Sequence, residues 1–295
     1  MSRPNSTDTP RFAVYILAHD KPWLFADLVH SLQHEQIDVF VHIDAGVDQQ
    51  PFERALRSGS AAHFVPASRR VRVHWGGFSQ LDASFALIDL ARANDRRYHR
   101  HSLFSGTDVL LRPMSELIAT WADDRELIRI DRRIGDASDP MAAKVLRLHF
   151  PDHPQLDRLR LSGRIPRRLN TAVPLYQGSQ WWSLTDGALD AARAVIAENP
   201  RWLRQHRFSL CPDEFVLHSA LMSTAFGAKV EQNYAGLSRE PDRTVHGQHF
   251  IDWSDPEGIR PPELTADSLT QALAGPAMFA RKAGPDWTWR AEPAC

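Results

Sequence analysis

The sequence predicts an α/β layer fold built on a central, mostly parallel sheet. Short apolar runs alternate with amphipathic stretches from Arg11 onward, and glycine or proline punctuates the joins. The first strand-like run, helix-like run and second strand-like run follow one another closely, which is the spacing of a β-α-β unit with parallel strands.

FAVYILAH (Phe12 to His19) reads as a buried first strand. PWLFADLVHSL then places Pro22 at a helix start and sets Trp23, Leu24, Leu28, Val29 and Leu32 on one side. DVFVHID (Asp38 to Asp44) is the second strand. A third strand is expected at Arg72 to Trp75, stopped by Gly76 and Gly77. Ser79 with Asp82 three residues on predicts a capping box for the helix that carries Phe85, Ile88 and Leu90. SLFSGTDVLLRP (Ser102 to Pro113) reads as one further buried strand ending in a turn, MSELIATWA as a helix, and LIRID (Leu127 to Asp131) as a strand. Between Asp131 and Tyr176 the character changes. Arg132, Arg133, Arg147, Arg158, Arg160, Arg164, Arg167 and Arg168 interleave with leucine and proline, as on a solvated face or a docking surface.

A chain of 295 residues that is 43% hydrophobic can bury a sizeable core, and a single domain over residues 11–295 behind a flexible tail of residues 1–10 is expected. The formal net charge of −1 gives no general attraction to nucleic acid. Two cysteines, Cys211 and Cys295, are too few for a disulfide framework and suit a reducing compartment. The N-terminus lacks the apolar core of a signal peptide, and no stretch approaches the ~18 apolar residues of a membrane span. A cytoplasmic protein is the expectation.

Two segments carry chemistry. YQGSQWW (Tyr176 to Trp182) reads as a glycine-led turn with two adjacent indoles. CPDEF (Cys211 to Phe215) sets Glu214 at the start of the helical run FVLHSALM. Flat aromatic rings suit the apolar face of a sugar, and a carboxylate held ionised by a helix N-terminus can take a proton from a sugar hydroxyl. The alternative for Asp213 and Glu214 is a purely structural helix-end charge. The histidines of HRH (His99 to His101) and HGQH (His246 to His249) lack zinc-site spacing and read as surface residues. A phosphate-cradling glycine loop is also missing, which counts against a nucleotide phosphohydrolase.

The ordered motifs ILAHDKP, VHID, HWGGFS, LFSGTDVLLRP, YQGSQWWSLT, CPDEF and MFARK resemble the core-2/I-branching N-acetylglucosaminyltransferase and peptide O-xylosyltransferase family, from about Phe12 to Lys282. The resemblance implies a GT-A-like fold, a UDP-sugar donor, inversion at the anomeric carbon and no divalent metal. The sequence contains no Asp-x-Asp, so side-chain cations would have to neutralise the departing UDP.

Carried over residue by residue, the resemblance implies that Glu214 is the general base and that Lys282, beside Arg281, contacts the diphosphate. Asp44 would hold the uracil, with Trp75 and Gly76 beside the nucleotide, Leu17 and His19 at the first strand's end, and Asp108 near the diphosphate or donor sugar. Arg260 is the candidate for a second phosphate-contacting arginine. Its GIRPPELT setting differs from the His-Pro-basic run of relatives, which leaves Arg239 and Arg243 as alternatives. Ser179, Trp181, Trp182 and Trp253 are the acceptor candidates.

The implied reaction transfers a sugar, N-acetylglucosamine first and xylose as the rival, to a hydroxyl of a glycan or lipid-linked saccharide, forming a β linkage in cell-surface polysaccharide synthesis. A relative that binds glycan without turnover is the other reading. No cofactor and no nucleic-acid partner are expected, and the arginine-rich segment 155–169 is a candidate for peripheral contact with the inner membrane face.

Overall fold

The computed structural model describes residues 9–135, 138–237, 244–253, 260–285 and 287. Most of the tail, together with Arg239, Arg243 and Cys295, lies outside them. The α/β class expected from the sequence is what forms.

The larger sheet has seven strands: β1 (Phe12–Ala18), β2 (Ile37–Ile43), β3 (His63–Phe64), β4 (Arg100–Ser105), β6 (Glu126–Arg133), β7 (Tyr176–Thr185) and β8 (Val230–Asn233), in the order β3-β2-β1-β4-β7-β6-β8. The β1/β2, β1/β4, β2/β3 and β6/β8 pairs are parallel, and β7 runs antiparallel to both neighbours. A second sheet joins β5 (Val109–Leu110), β9 (Val245–His246), β10 (His249–Ile251) and β11 (Phe279–Arg281) in the order β5-β11-β10-β9.

The first β-α-β unit forms as expected. All seven residues of β2 are buried, and β1 is buried except for the half-buried Leu17, as befits strands covered on both faces. The helix Pro22–Ser31 covers them with Leu24, Phe25, Leu28 and Val29. Trp23 departs from the expectation: it is 49% exposed, on the outer side of that helix.

Three further departures have physical reasons. No strand forms at Arg72 to Trp75, because side chains take the backbone N–H groups a ladder would need. Val71 donates to His42 Nε2 (2.8 Å), Val73 to Asp44 Oδ2 (2.7 Å) and His74 to Ser79 Oγ (2.8 Å). The third strand is instead the short β3. The capping box at Ser79 does not form either. The helix Ser79–Arg92 has no side-chain cap, and the Ser79 hydroxyl donates to Asp152 Oδ1 at 2.5 Å. Finally, Ser102 to Pro113 is not one strand. A turn through Gly106, with the Ser105 N–H donating to Asp108 Oδ2 at 2.8 Å, separates β4 from β5 and sends the two into different sheets.

Two motif histidines read as surface residues are buried. His101 bridges the Tyr15 hydroxyl (2.7 Å) and Asp186 (2.9 Å), and His249 stacks on Phe279. Burial of the aromatic group Phe104, Trp121, His249 and Phe279 clamps the second sheet onto the first.

Candidate functional site

A cavity of about 480 Å³ opens where the parallel strands β1, β2 and β4 end. An open α/β sheet leaves its crevice at the carboxyl ends of its strands, beside the point where strand order reverses, and here that point lies between β1 and β4. The cavity wall includes Leu17 and His19 from the end of β1, Asp44 from the end of β2, and Trp75, Trp181, Arg260, Arg281 and Lys282. Eight of the residues singled out in the sequence therefore come together from six places in the chain.

Asp44 shapes the wall as well as lining it. Its Oδ1 accepts from the Gly46 N–H at 2.5 Å and its Oδ2 from the Val73 N–H at 2.7 Å, which closes the turn after β2 and ties the 71–75 segment to it. Arg70 secures the same turn from below, donating to the carbonyls of Ile43, Asp44 and Val47. His42, two residues before Asp44 and on the same side of β2, also lines the cavity. Burial pulls its pKa down to about 4, and neutral Nε2 accepts the Val71 N–H.

Three cations face the cavity, each held differently. Arg281 ends β11, and its Nε donates to Asp108 Oδ1 at 3.1 Å while its guanidinium lies 4.1 Å above the centre of the Trp181 ring. Burial lowers the Arg281 pKa and the Asp108 carboxylate opposes that shift. Asp108 itself is buried and does not line the cavity, so its place is behind Arg281 rather than against a donor. Lys282 follows on the wall and has no ion-pair partner among the described residues. Arg260 lies 5.2 Å from the centre of the Trp75 ring, which is itself 52% exposed, so the two form a cation-π pair at the cavity.

The segment expected to be an aromatic turn is strand β7, and the reason it reaches the cavity is a bulge. Between the pairs Ile128↔Trp182 and Ile130↔Gly178, β6 advances two residues while β7 advances four. The extra residues turn Gln180 and Trp181 to the cavity. Gly178 permits the close crossing, since a Cβ there would sit 1.9 Å from the Arg129 carbonyl oxygen. The freed Ser179 carbonyl accepts from buried His218 Nε2 at 2.8 Å.

This geometry separates the acceptor candidates. Trp181 is on the wall, under Arg281. Trp182 packs against Tyr15 in the core, Ser179 is buried, and Trp253 rests half-buried against the core; none of these three lines the cavity.

Glu214 lies in the short 3₁₀ turn Pro212–Glu214, ahead of the helix Val216–Met222 rather than in its first turn. Its charge is met by Lys144, whose Nζ donates to Glu214 Oε2 at 2.7 Å. Although burial alone would lower the Lys144 pKa, Glu214 and its acidic neighbours raise it above the ordinary value. Asp213 is buried beside this pair, and burial together with the Glu214 charge raises its pKa. Glu214 is not on the cavity wall, but its segment is docked directly behind it. The Cys211 N–H donates to the Gly76 carbonyl at 2.7 Å, and Gly76, at φ +71°, packs on Leu210 and Cys211 next to the wall residue Trp75. Gly76 thus joins the two parts of the site without entering the cavity.

Sequence reasoning missed His42, Gln80, Ser105, Gln180 and Lys144. Two carried a readable signal: His42 alternates with Asp44, and Ser105 ends a buried strand. Lys144 acts through a contact 70 residues away in sequence, and Gln80 through a local one, accepting from the Gly76 N–H at 2.5 Å. Among the described residues, no group of three histidine, cysteine or acidic side chains stands together in metal-holding geometry, and no helix is long and apolar enough to cross a membrane.

A family model described as Core-2/I-Branching enzyme matches residues 12–275. No curated protein matches the sequence. Among solved structures, the galactosyltransferase LgtC in complex with donor and acceptor sugar analogs is 10% identical, with a TM-score of 0.41 over 93% of this chain and 87% of that one. The 4-diphosphocytidyl-2C-methyl-D-erythritol synthase of Anaerococcus prevotii is 13% identical, with a TM-score of 0.35 over 90% and 96%. The bifunctional glycosyltransferase WbbM in its apo form is 12% identical, with a TM-score of 0.37 over 96% and 47%.

Proposed function

Because the chain belongs to the core-2/I-branching enzyme family and is a glycosyltransferase of that family, we propose that the cavity takes a UDP-sugar and that the sugar passes with inversion to an acceptor hydroxyl. N-acetylglucosamine is the proposed sugar and a β linkage the product. The acceptor is a glycan or lipid-linked saccharide of cell-surface polysaccharide synthesis on the cytoplasmic side.

The observation that carries this reading is the convergence of Arg260, Arg281 and Lys282 on a cavity at the carboxyl ends of β1, β2 and β4. A departing UDP develops negative charge, and fixed cations in a partly desolvated cleft stabilise it without a metal. Lys282, unpaired among the described residues, is the one whose charge is least committed elsewhere. Arg281 is pre-oriented by Asp108, so little freedom is lost when it meets phosphate. The uracil end belongs by Asp44, whose carboxylate oxygens each keep acceptor capacity beyond their backbone bonds.

Glu214 then serves as general base. Lys144 occupies Oε2 and leaves Oε1 for the proton of the acceptor hydroxyl. The sugar's anomeric carbon exchanges its bond to the diphosphate oxygen for one to the acceptor oxygen, and the proton goes to Glu214.

A donor screen with excess chelator tests the reading. UDP released from UDP-N-acetylglucosamine, and faster with a saccharide acceptor present, supports it; release from UDP-xylose alone reassigns the sugar. A strict manganese requirement overturns the role given to the side-chain cations. The position of Glu214 behind the wall, engaged with Lys144, favours one second reading, a relative that binds nucleotide and glycan without turnover. UDP binding by calorimetry with no release from any donor would select it.

A further inference from the structure

The excursion between β6 and β7 carries a patch that the transfer reaction does not use. Among the described residues eight large hydrophobic side chains are exposed, and four of them, Leu156, Leu159, Leu161 and Ile165, fall within ten consecutive positions. Arg158, Arg160, Arg164 and Arg168 are interleaved with them, all exposed and none in an ion pair with a described residue. Asp157 is the only acidic residue from 153 to 169.

This tip stands on a rigid base. Gly163 donates to the Leu148 carbonyl, Leu148 to the Ile165 carbonyl, and Arg167 to the Leu146 carbonyl. The Arg167 guanidinium is turned inward, to Val145, Gln205 and Ser209. The base in turn is tied to both parts of the site: the Leu210 N–H donates to the Lys144 carbonyl, and Asp152 accepts from Ser79. A well-bonded excursion that ends in uncovered leucines and uncompensated guanidiniums is built to meet something apolar and anionic at once.

We infer that residues 156–168 dock the protein on the surface of an anionic lipid bilayer, the leucines and Ile165 entering the acyl boundary and the arginines resting among the headgroups. Neither component alone would select this occupant. A soluble polyanion would take the arginines but has no use for four exposed aliphatic side chains, and a second copy of the chain would bring four like charges against four. The inference goes beyond the transfer reaction and does not need it.

The test is sedimentation of the full chain with vesicles of phosphatidylglycerol and phosphatidylcholine, against vesicles of phosphatidylcholine alone, at fixed salt. Partitioning should favour the anionic vesicles by at least about tenfold. Each arginine near such a surface is worth about fivefold, so Arg158→Gln, Arg160→Gln and Arg164→Gln together should weaken binding about 100-fold. Leu159→Ser with Leu161→Ser should weaken it about tenfold and leave the residue fully reversible by salt. The substituted side chains are exposed, and melting temperature together with UDP release in solution should stay at the parent value. No preference for anionic vesicles, or parent-like binding by both variants, overturns the inference. So does full displacement by soluble dextran sulfate with the leucine variant binding as the parent, which would make the patch a polyanion site. A concentration-dependent dimer abolished by the leucine variant would make it a self-interface. Vesicle binding without any UDP release would leave the inference standing while the transfer reading fails.

Discussion

The two parts of the site are built on different principles. At the cavity, strand ends set the geometry. Leu17, His42 and Ser105 arrive at one level because β1, β2 and β4 are parallel neighbours in register, Asp44 follows two residues beyond His42, and the second sheet delivers Arg281 and Lys282 to the same cavity. Behind its wall, Glu214 in a 3₁₀ turn beside Asp213 is held by an ion pair, and its segment by one backbone bond to the wall. The cavity is a property of the fold; the placing of Glu214 depends on a few contacts made by single residues. Substitutions should therefore separate binding from turnover.

The largest effect is expected from Glu214→Gln. If this carboxylate is the base, transfer should fall by about 10²-fold or more while UDP affinity measured by calorimetry stays within about twofold. Equal turnover in the variant would remove Glu214 from the chemistry and leave the reading to rest on the cavity alone.

Lys282→Ala probes the other side. UDP affinity should drop by about 30-fold, the loss of a charge-assisted contact in a partly desolvated site, and the drop should not be reversed by added divalent cation. Unchanged affinity would mean that Arg260 and Arg281 suffice for the diphosphate.

That division also explains how much of the molecule was legible. Strand ends could be found because a buried apolar run announces a strand, and an open parallel sheet leaves its crevice there; the resemblance then pointed to Leu17, His19 and Asp44 at those ends. The alternating runs made the fold class readable, and the two sheets bear it out; the ordered motifs made the family readable, and the family match to residues 12–275 bears it out. What failed was whatever depended on competition for backbone hydrogen bonds. The 72–75 run has the apolar pattern of a strand, but His42, Asp44 and Ser79 capture the N–H groups of Val71, Val73 and His74. YQGSQWW was read as a turn because of its glycine, whereas Gly178 is there to let β7 cross close to Arg129. The bulge that follows decides which indole meets the cavity, and no local signal distinguishes Trp181 from Trp182. Lys144 was invisible because it lies 70 residues from Glu214.

Lys144→Met addresses that long-range contact. Both partners are less than a third exposed, so the loss leaves Glu214 partly desolvated beside Asp213 with no counter-charge. A stability loss of roughly 2 kcal/mol is expected by chemical denaturation, with most of it absent when Glu214→Gln is the background. Additive effects of the two substitutions would show that the pair is not energetically coupled.

The smallest expected effect lies in the cavity wall. His42 titrates near 4 when folded and near 6.5 when unfolded, because burial disfavours its charged form; Arg70 adds to that and Asp44 opposes it. Between those values the unfolded chain binds more protons than the folded one, so the stabilising contribution is complete above about pH 6.5 and is lost as pH falls toward 4. His206 and His218, also buried with lowered pKa values, act in the same sense, so the informative quantity is a difference between proteins. From pH 6.5 to 5.5 the parent should lose about 1 kcal/mol more than His42→Gln does. Protonation would also take Nε2 from the Val71 N–H, which loosens the segment that carries Trp75. UDP affinity should therefore weaken with acid in the parent and less so in the variant. Identical pH slopes for the two proteins would mean that His42 does not carry this pH dependence.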